Sequence, residues 1–144
     1  MKTTANKKLF TLALMMLVLG WITMSFESNQ DDKPKPWKVP EATKQKKNPV
    51  KAAPESITEG KTLYAKHCKS CHGTKGLGDG PKSKELDTPS GDFSTREFQA
   101  QTDGELFYKT QEGRDDMPNF KKKMPDDADI WSVVNYMRTL NGAK

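Results

Sequence analysis

The sequence has little with which to build a core or a many-ligand metal site. Among 144 residues only two are cysteine and two histidine, which excludes a disulfide-stapled scaffold and a multi-zinc protein. Apolar residues make up 33% and aromatics 8%, low for a globular chain. Mean hydropathy is −0.86. A domain this small and polar struggles to reach stability from side-chain burial alone. A basic footprint is also missing where a nucleic-acid binder needs one. Residues 1–55 carry ten basic against five acidic residues, while residues 56–144 carry fourteen of each. The net charge of +5 thus belongs to the N-terminal stretch, which argues against nucleic-acid binding by the remainder. Zinc-finger spacings, RNA-binding signatures, heptad runs, internal repeats and alternating strands of useful length are all absent.

One long apolar run is present. Residues 9–26 contain no charge, and as a helix they would span roughly 27 Å, enough for a bilayer core. Lys2, Lys7 and Lys8 precede the run, which places them on the cytoplasmic side and directs the rest of the chain outward. Two readings stand. One is a cleaved signal peptide, with Thr23 and Ser25 before the cut; the other is an uncleaved anchor helix, with Trp21 at the outer interface. No cysteine directly follows the run, which excludes lipoprotein anchoring. The chain is expected on the outer, periplasmic side of the cytoplasmic membrane, anchored or soluble according to which reading holds.

Residues 27–55 read as a linker. Five of the nine prolines and seven lysines fall here, a composition that favours an extended, solvated chain. Trp37, with Val39 and Pro40, stands out. It is either an incidental aromatic in a tether or a strap that packs onto the folded domain.

Residues 56–144 read as the domain, all-α, with about three helices. The first is expected over 56–70. Ser56 and Glu59 are spaced as a capping box, and Ile57, Gly60, Leu63, Tyr64 and Cys68 recur at helical spacing. The second is expected over 103–110, with Leu106 and Phe107 on its apolar side and Gly113 as its stop. The third runs from 126 or 127 to 140. Asp126, Asp127 and Asp129 suit the positive end of its dipole. Ile130, Val133, Val134, Met137 and Leu140 form its stripe, and Asn141-Gly142 ends it.

The informative string is His67-Cys68-Lys69-Ser70-Cys71-His72. It contains Cys-x-x-Cys-His, the c-type haem attachment signature. On a helix Cys68, Cys71 and His72 lie at i, i+3 and i+4, on one face. Two thiols there can form thioethers with the two vinyl groups of one haem, and the histidine reaches the iron from one side. The rival readings are weaker. A thioredoxin-like pair wants a βαβ pattern, which is absent. A zinc site would have to draw all four ligands from six residues. A plain disulfide needs no following histidine.

With this motif, a late Met-Pro and a C-terminal amphipathic helix, residues 56–144 resemble a class I c-type cytochrome, a resemblance that covers the whole domain. It implies a small fold wrapped around one covalent haem c, so that the porphyrin supplies the core the composition lacks. Such proteins carry single electrons and are not substrate-converting enzymes. The partners implied are redox proteins such as a quinol-oxidising donor and a terminal oxidase or reductase, with membrane contact only through the N-terminal segment.

The second iron ligand remains to be placed. His67 adjoins Cys68 and cannot reach the opposite face of the ring. Met117 and Met124 are the methionines outside the N-terminal export segment, residues 1–26, and the last helix, and each precedes a proline. Met117-Pro118-Asn119-Phe120 resembles the family's ligand loop, and Met124 stands where relatives commonly carry a core leucine. An open site, or a lysine among Lys121, Lys122 and Lys123, stays as the alternative. A soft thioether raises the potential, and six-coordinate iron leaves no position for a substrate. The resemblance also puts Pro81 where its carbonyl would accept the Nδ1–H of His72 and fix the ring. It matches Gly60 and Tyr64 to a close crossing with Val133 and Tyr136. Glycines 73, 76, 78 and 80 fit a tight loop against the ring, and Phe93, Phe98 and Phe120 fit its walls. Arg96 and Arg114 are candidates to pair with haem propionates. Lys121–Lys123 are either a docking patch for an acidic partner or a solvated run. Two other classes stay open: a five-coordinate haem protein that binds small ligands, as a sensor or peroxidase-like enzyme, and a docking subunit fixed within one complex.

Overall fold

The computed structural model describes residues 36–142. The apolar run, with its anchor and signal-peptide readings, and the first part of the expected linker lie outside the described residues. The described part is helical: α1 Glu41–Lys44, α2 Pro54–His67, α3 Lys69–His72, α4 Arg96–Gln99, α5 Asp103–Glu112 and α6 Asp127–Thr139, with one 3₁₀ turn at Ser83–Glu85. Among these residues the sole β pairing is an isolated bridge between Arg114 and Met117.

Helix α2 starts two residues before the expected Ser56. Pro54 takes the first helical position, where its missing N–H costs nothing. Ser56 is therefore the third helical residue, and its Oγ accepts from Ala53 N at 3.2 Å. The helix also ends earlier than expected, at His67. Helix α5 is capped by Thr102, which exchanges bonds with Glu105 in a capping box, and stops at Gly113. Helix α6 is capped by Asp126, whose side chain accepts from Ala128 N at 2.9 Å.

The fold turns on the crossing of α2 and α6. Gly60 faces the backbone of Ser132 so closely that a Cβ would lie 2.5 Å from the Ser132 carbonyl carbon and 3.0 Å from Val133 N. Only glycine permits this approach. Tyr64 then packs on Tyr136, ring centroids 5.2 Å apart, and its hydroxyl donates to the Gly73 carbonyl at 2.8 Å. Every residue of α6 from Ile130 to Met137 is buried. Across its other side Trp131 stacks on Phe107 of α5 at 4.1 Å.

Residues 36–53 differ from the extended, solvated linker their composition favours. Val39 is buried, and α1 lies against α5, with Gly104 facing the Thr43 carbonyl. Asn48 donates to Trp131 O at 3.2 Å and Asn135 Oδ1 at 2.8 Å, and Asn135 returns a bond to Val50 O at 3.1 Å. The buried Asn135 on α6 is thereby satisfied by the N-terminal segment, as a buried amide must be. Averaged composition hides such isolated anchors. This segment is a strap, and Trp37 is its leading ring.

Candidate functional site

The attachment residues sit where α2 gives way to α3. Cys68 has φ −115° and breaks the helix. Its carbonyl nonetheless accepts from both Cys71 N at 3.1 Å and His72 N at 3.0 Å. The i, i+3, i+4 relation of the two thiols and the imidazole therefore survives the break. The carbonyls of α3 are then satisfied in turn by the loop beyond it. Lys69 O receives Gly73 N, Ser70 O receives Lys82 N, Cys71 O receives Gly80 N, and His72 O receives Gly78 N, at 2.9–3.2 Å. Every C-terminal acceptor of the helix is thereby paired. Gly80 is needed because a Cβ there would fall 2.6 Å from the Ser70 carbonyl carbon. Gly73, Gly78 and Gly80 thus close onto the attachment turn, while Gly76 bonds back to Gly73.

Cys68 and Cys71 are not joined in a disulfide. Burial, with Cys71 a smaller contributor, pushes the Cys68 thiol up to about 12. His72 lies under Phe93, ring centroids 4.5 Å apart, and Phe93 stacks on Phe98 at 4.2 Å. Burial lowers the His72 pKa, and the Ser90 backbone partly offsets this. The ring is therefore neutral at neutral pH, with a lone pair to give a metal.

Among the described residues the buried side-chain polar atoms without a partner are His72 Nδ1 and Ser90 Oγ. The bond expected from His72 Nδ1 to the Pro81 carbonyl is not present. Pro81 is exposed, and its neighbours Gly80 and Lys82 are tied to Cys71 and Ser70 instead. The polar backbone beside the imidazole is that of Ser90, which no motif singled out. A half-buried, neutral imidazole next to two cysteines outside any disulfide is a donor set that fits a covalently held haem.

The two candidate methionines occupy different settings. Met124 is 1% exposed and belongs to the central apolar cluster. Met117 is half-buried and packs on the edge of that cluster. It closes a two-residue turn in which Arg114 N donates to Met117 O at 2.9 Å and Met117 N to Arg114 O at 2.8 Å. Asp115, within the turn, has φ +52°. Asp116 Oδ2 accepts from Thr88 N at 2.9 Å, which fixes the turn to the loop before it. Phe120 N returns to Gln111 O at 3.2 Å. His67 contacts Phe120, ring centroids 6.0 Å apart. Lys121–Lys123 are exposed, and Lys123 Nζ lies 5.3 Å from the Phe120 ring centroid. Arg114 pairs with Asp115, Nε to Oδ2 at 3.0 Å, and its guanidinium lies 4.6 Å from the Trp37 ring centroid. Arg96 is exposed on α4.

A small helical domain with an apolar α2–α6 crossing and a Cys-x-x-Cys-His turn opening toward aromatic walls is a c-type cytochrome. The cytochrome c domain implies one covalently bound c-type haem. The chain belongs to the family described as cytochrome c oxidase, cbb3-type, subunit III, whose model matches residues 55–137. No curated protein shows a significant match. Among solved structures, the chain is similar to a chain of the Kuenenia stuttgartiensis reducing HAO-like protein complex, at 27% identity and TM-score 0.59. That match covers 65% of this chain and 47% of that one, so this chain spans about half the neighbour's length. It is also similar to the c-type cytochrome KustC0563, at 30% identity and TM-score 0.50, covering 57% of this chain and 96% of that one.

When bound, the haem iron supplies a centre that gains and loses one electron. The chain's own residues supply the rest. Cys68 and Cys71 would hold the macrocycle, His72 would present its lone pair to the iron, and Phe93 and Phe98 would keep water from that face.

Proposed function

We propose that this chain is a single-electron carrier whose iron is held between His72 and Met117. The observation that carries the reading is the setting of Met117. Its backbone is pinned at both N–H and C=O to Arg114, while its side chain stays at the rim of the core. Met124, by contrast, is consumed by packing. A rigid turn that presents a thioether keeps coordination unchanged between oxidation states, which lowers the reorganisation that accompanies electron transfer.

The lysine-flanked apolar run supports a site of action on the outer side of the cytoplasmic membrane. Respiratory-chain partners follow from that placement: a quinol-oxidising donor and a terminal oxidase or reductase. The family's description supports the oxidase side. The strap shortens any tether. Nine residues, 27–35, separate the apolar run from Pro36, and nine residues reach at most about 30 Å. The domain's excursion is therefore short, which favours a partner in the same membrane.

The test is the optical spectrum of the purified holoprotein, oxidised and reduced, with and without carbon monoxide. The wild-type protein should be low-spin, show the far-red methionine-to-iron band and ignore carbon monoxide. Met117→Ala should lose the band and bind carbon monoxide, while Met124→Leu should keep the band. A band that survives Met117→Ala refutes the ligand assignment. A wild-type protein that is high-spin and binds carbon monoxide refutes the carrier reading in favour of an open iron site.

A further inference from the structure

We propose that the N-terminal strap is a positioning device for the iron-ligand loop: Trp37 holds Arg114, and through Arg114 it holds the Met117 turn closed. The inference rests on Met117 being the ligand. Residues 36–53 precede the family match, which begins at residue 55, so the strap is an addition to the matched domain.

The strap is anchored independently of its leading ring. Val39 is buried. Thr43 O faces Gly104, and the carbonyls of Lys44 and Lys46 lie 3.1 and 3.0 Å from where a Gly104 Cβ would be. Asn48 is bonded to α6. These contacts fix the strap to the α5–α6 face. From there Trp37 reaches the C-terminal end of α5, where Lys109 Nζ lies 5.8 Å and the Arg114 guanidinium 4.6 Å from its ring centroid. A cation at that distance over an indole is attracted to the ring's negative face.

Arg114 is the residue whose backbone N–H and C=O both pair with Met117. Its side chain is held between Trp37 and Asp115. Fixing the side chain fixes the peptide groups that close the turn. A thioether is a weak ligand, so the fraction of molecules with methionine off the iron depends on how firmly the turn is closed. Loss of the ring contact should raise that fraction about three- to thirtyfold, the range a cation–π contact supports.

The test uses the haem-loaded full chain and variants that leave net charge unchanged. Trp37→Leu keeps bulk and apolarity but removes the π face, and Trp37→Phe restores a face. Carbon monoxide binding to the reduced protein reads the open fraction. Urea melting of the far-red band, compared with far-UV circular dichroism, separates loop opening from global unfolding. Trp37→Leu is expected to bind carbon monoxide about three- to thirtyfold more tightly and to lose the band at lower urea, with the global transition nearly unmoved. Trp37→Phe should recover much of the wild-type behaviour. The proposal is overturned if Trp37→Leu matches wild type while Met117→Ala opens the iron. It is equally overturned if band loss and global unfolding shift together, which would make the strap a purely structural brace. If Met117→Ala itself leaves the band intact, the ligand reading fails, and that result is distinct from either of the others.

Discussion

Replacing Gly60 with alanine adds one methyl group at the tightest point of the α2–α6 crossing. The atoms it would meet are backbone, not the movable end of a side chain: the Ser132 carbonyl carbon at 2.5 Å and Val133 N at 3.0 Å, with the carbonyl oxygen closer still. Ordinary contact begins at 3.4 Å, so the helices must separate by about 1 Å to restore ordinary packing. Both helices carry buried residues on this face, and the Tyr64–Tyr136 contact lies one turn on, so the separation loosens the whole seam. Overpacking costs about 1–3 kcal/mol, and a backbone clash belongs at the upper end. Alanine's better helix propensity returns about 1 kcal/mol. A net loss of about 2 kcal/mol remains, which for a domain of this size lowers Tm by about 8–16 °C. Thermal unfolding of the haem-loaded protein by far-UV circular dichroism measures it. Lys61→Ala, exposed on the same helix, controls for propensity and should be near neutral. A Gly60→Ala protein as stable as wild type, or more so, refutes a crossing this close.

Arg138 ties the α4–α5 connection to α6 through Asp103 Oδ1 at 2.7 and 2.9 Å and the carbonyls of Gln99 and Gln101 at 2.9 and 2.6 Å. Lysine cannot reproduce that planar fork, so Arg138→Lys should lose about 1–3 kcal/mol in urea unfolding; an unchanged midpoint would show the fork to be dispensable. Tyr64→Phe leaves the buried Gly73 carbonyl without its 2.8 Å donor. It should cost about 1–3 kcal/mol while the low-spin spectrum persists, and spectral change at full stability would contradict a structural role. Burial, opposed by Glu105 and reinforced by Arg114 and Lys44, holds Lys109 below the usual lysine range. Just below that range the unfolded chain therefore binds more protons than the folded one, so stability rises with pH there. Wild type should gain on Lys109→Met as pH climbs toward about 10.4, and a difference flat with pH would refute the shift.

Much of the domain was legible from local pattern. The starts of α5 and α6, the Gly113 stop and the attachment turn all follow from residue types at fixed spacing. Such signals act within one or two turns and need no knowledge of distant neighbours. The Gly60 and Tyr64 crossing was legible through the family resemblance. Helix α2 was placed but its start was not, because Pro54 at the first position outweighed the Ser56 cap signal.

The remaining features depend on partners far apart in sequence. Trp37 meets Arg114, Asn48 meets Asn135, and Arg138 meets Asp103, pairings that no local window contains. A lysine- and proline-rich stretch reads as solvated because its average is polar, yet one buried valine, one asparagine and one indole suffice to hold it down. The surroundings of His72 are likewise tertiary. Its packing under Phe93 and the approach of the Ser90 backbone come from how the loop folds back. The sequence by itself determined the attachment signature, because that chemistry lives in five consecutive residues. Only the tertiary structure decided what packs on the Met117 turn, because contact across the fold depends on the packing of helices whose residues are many positions apart.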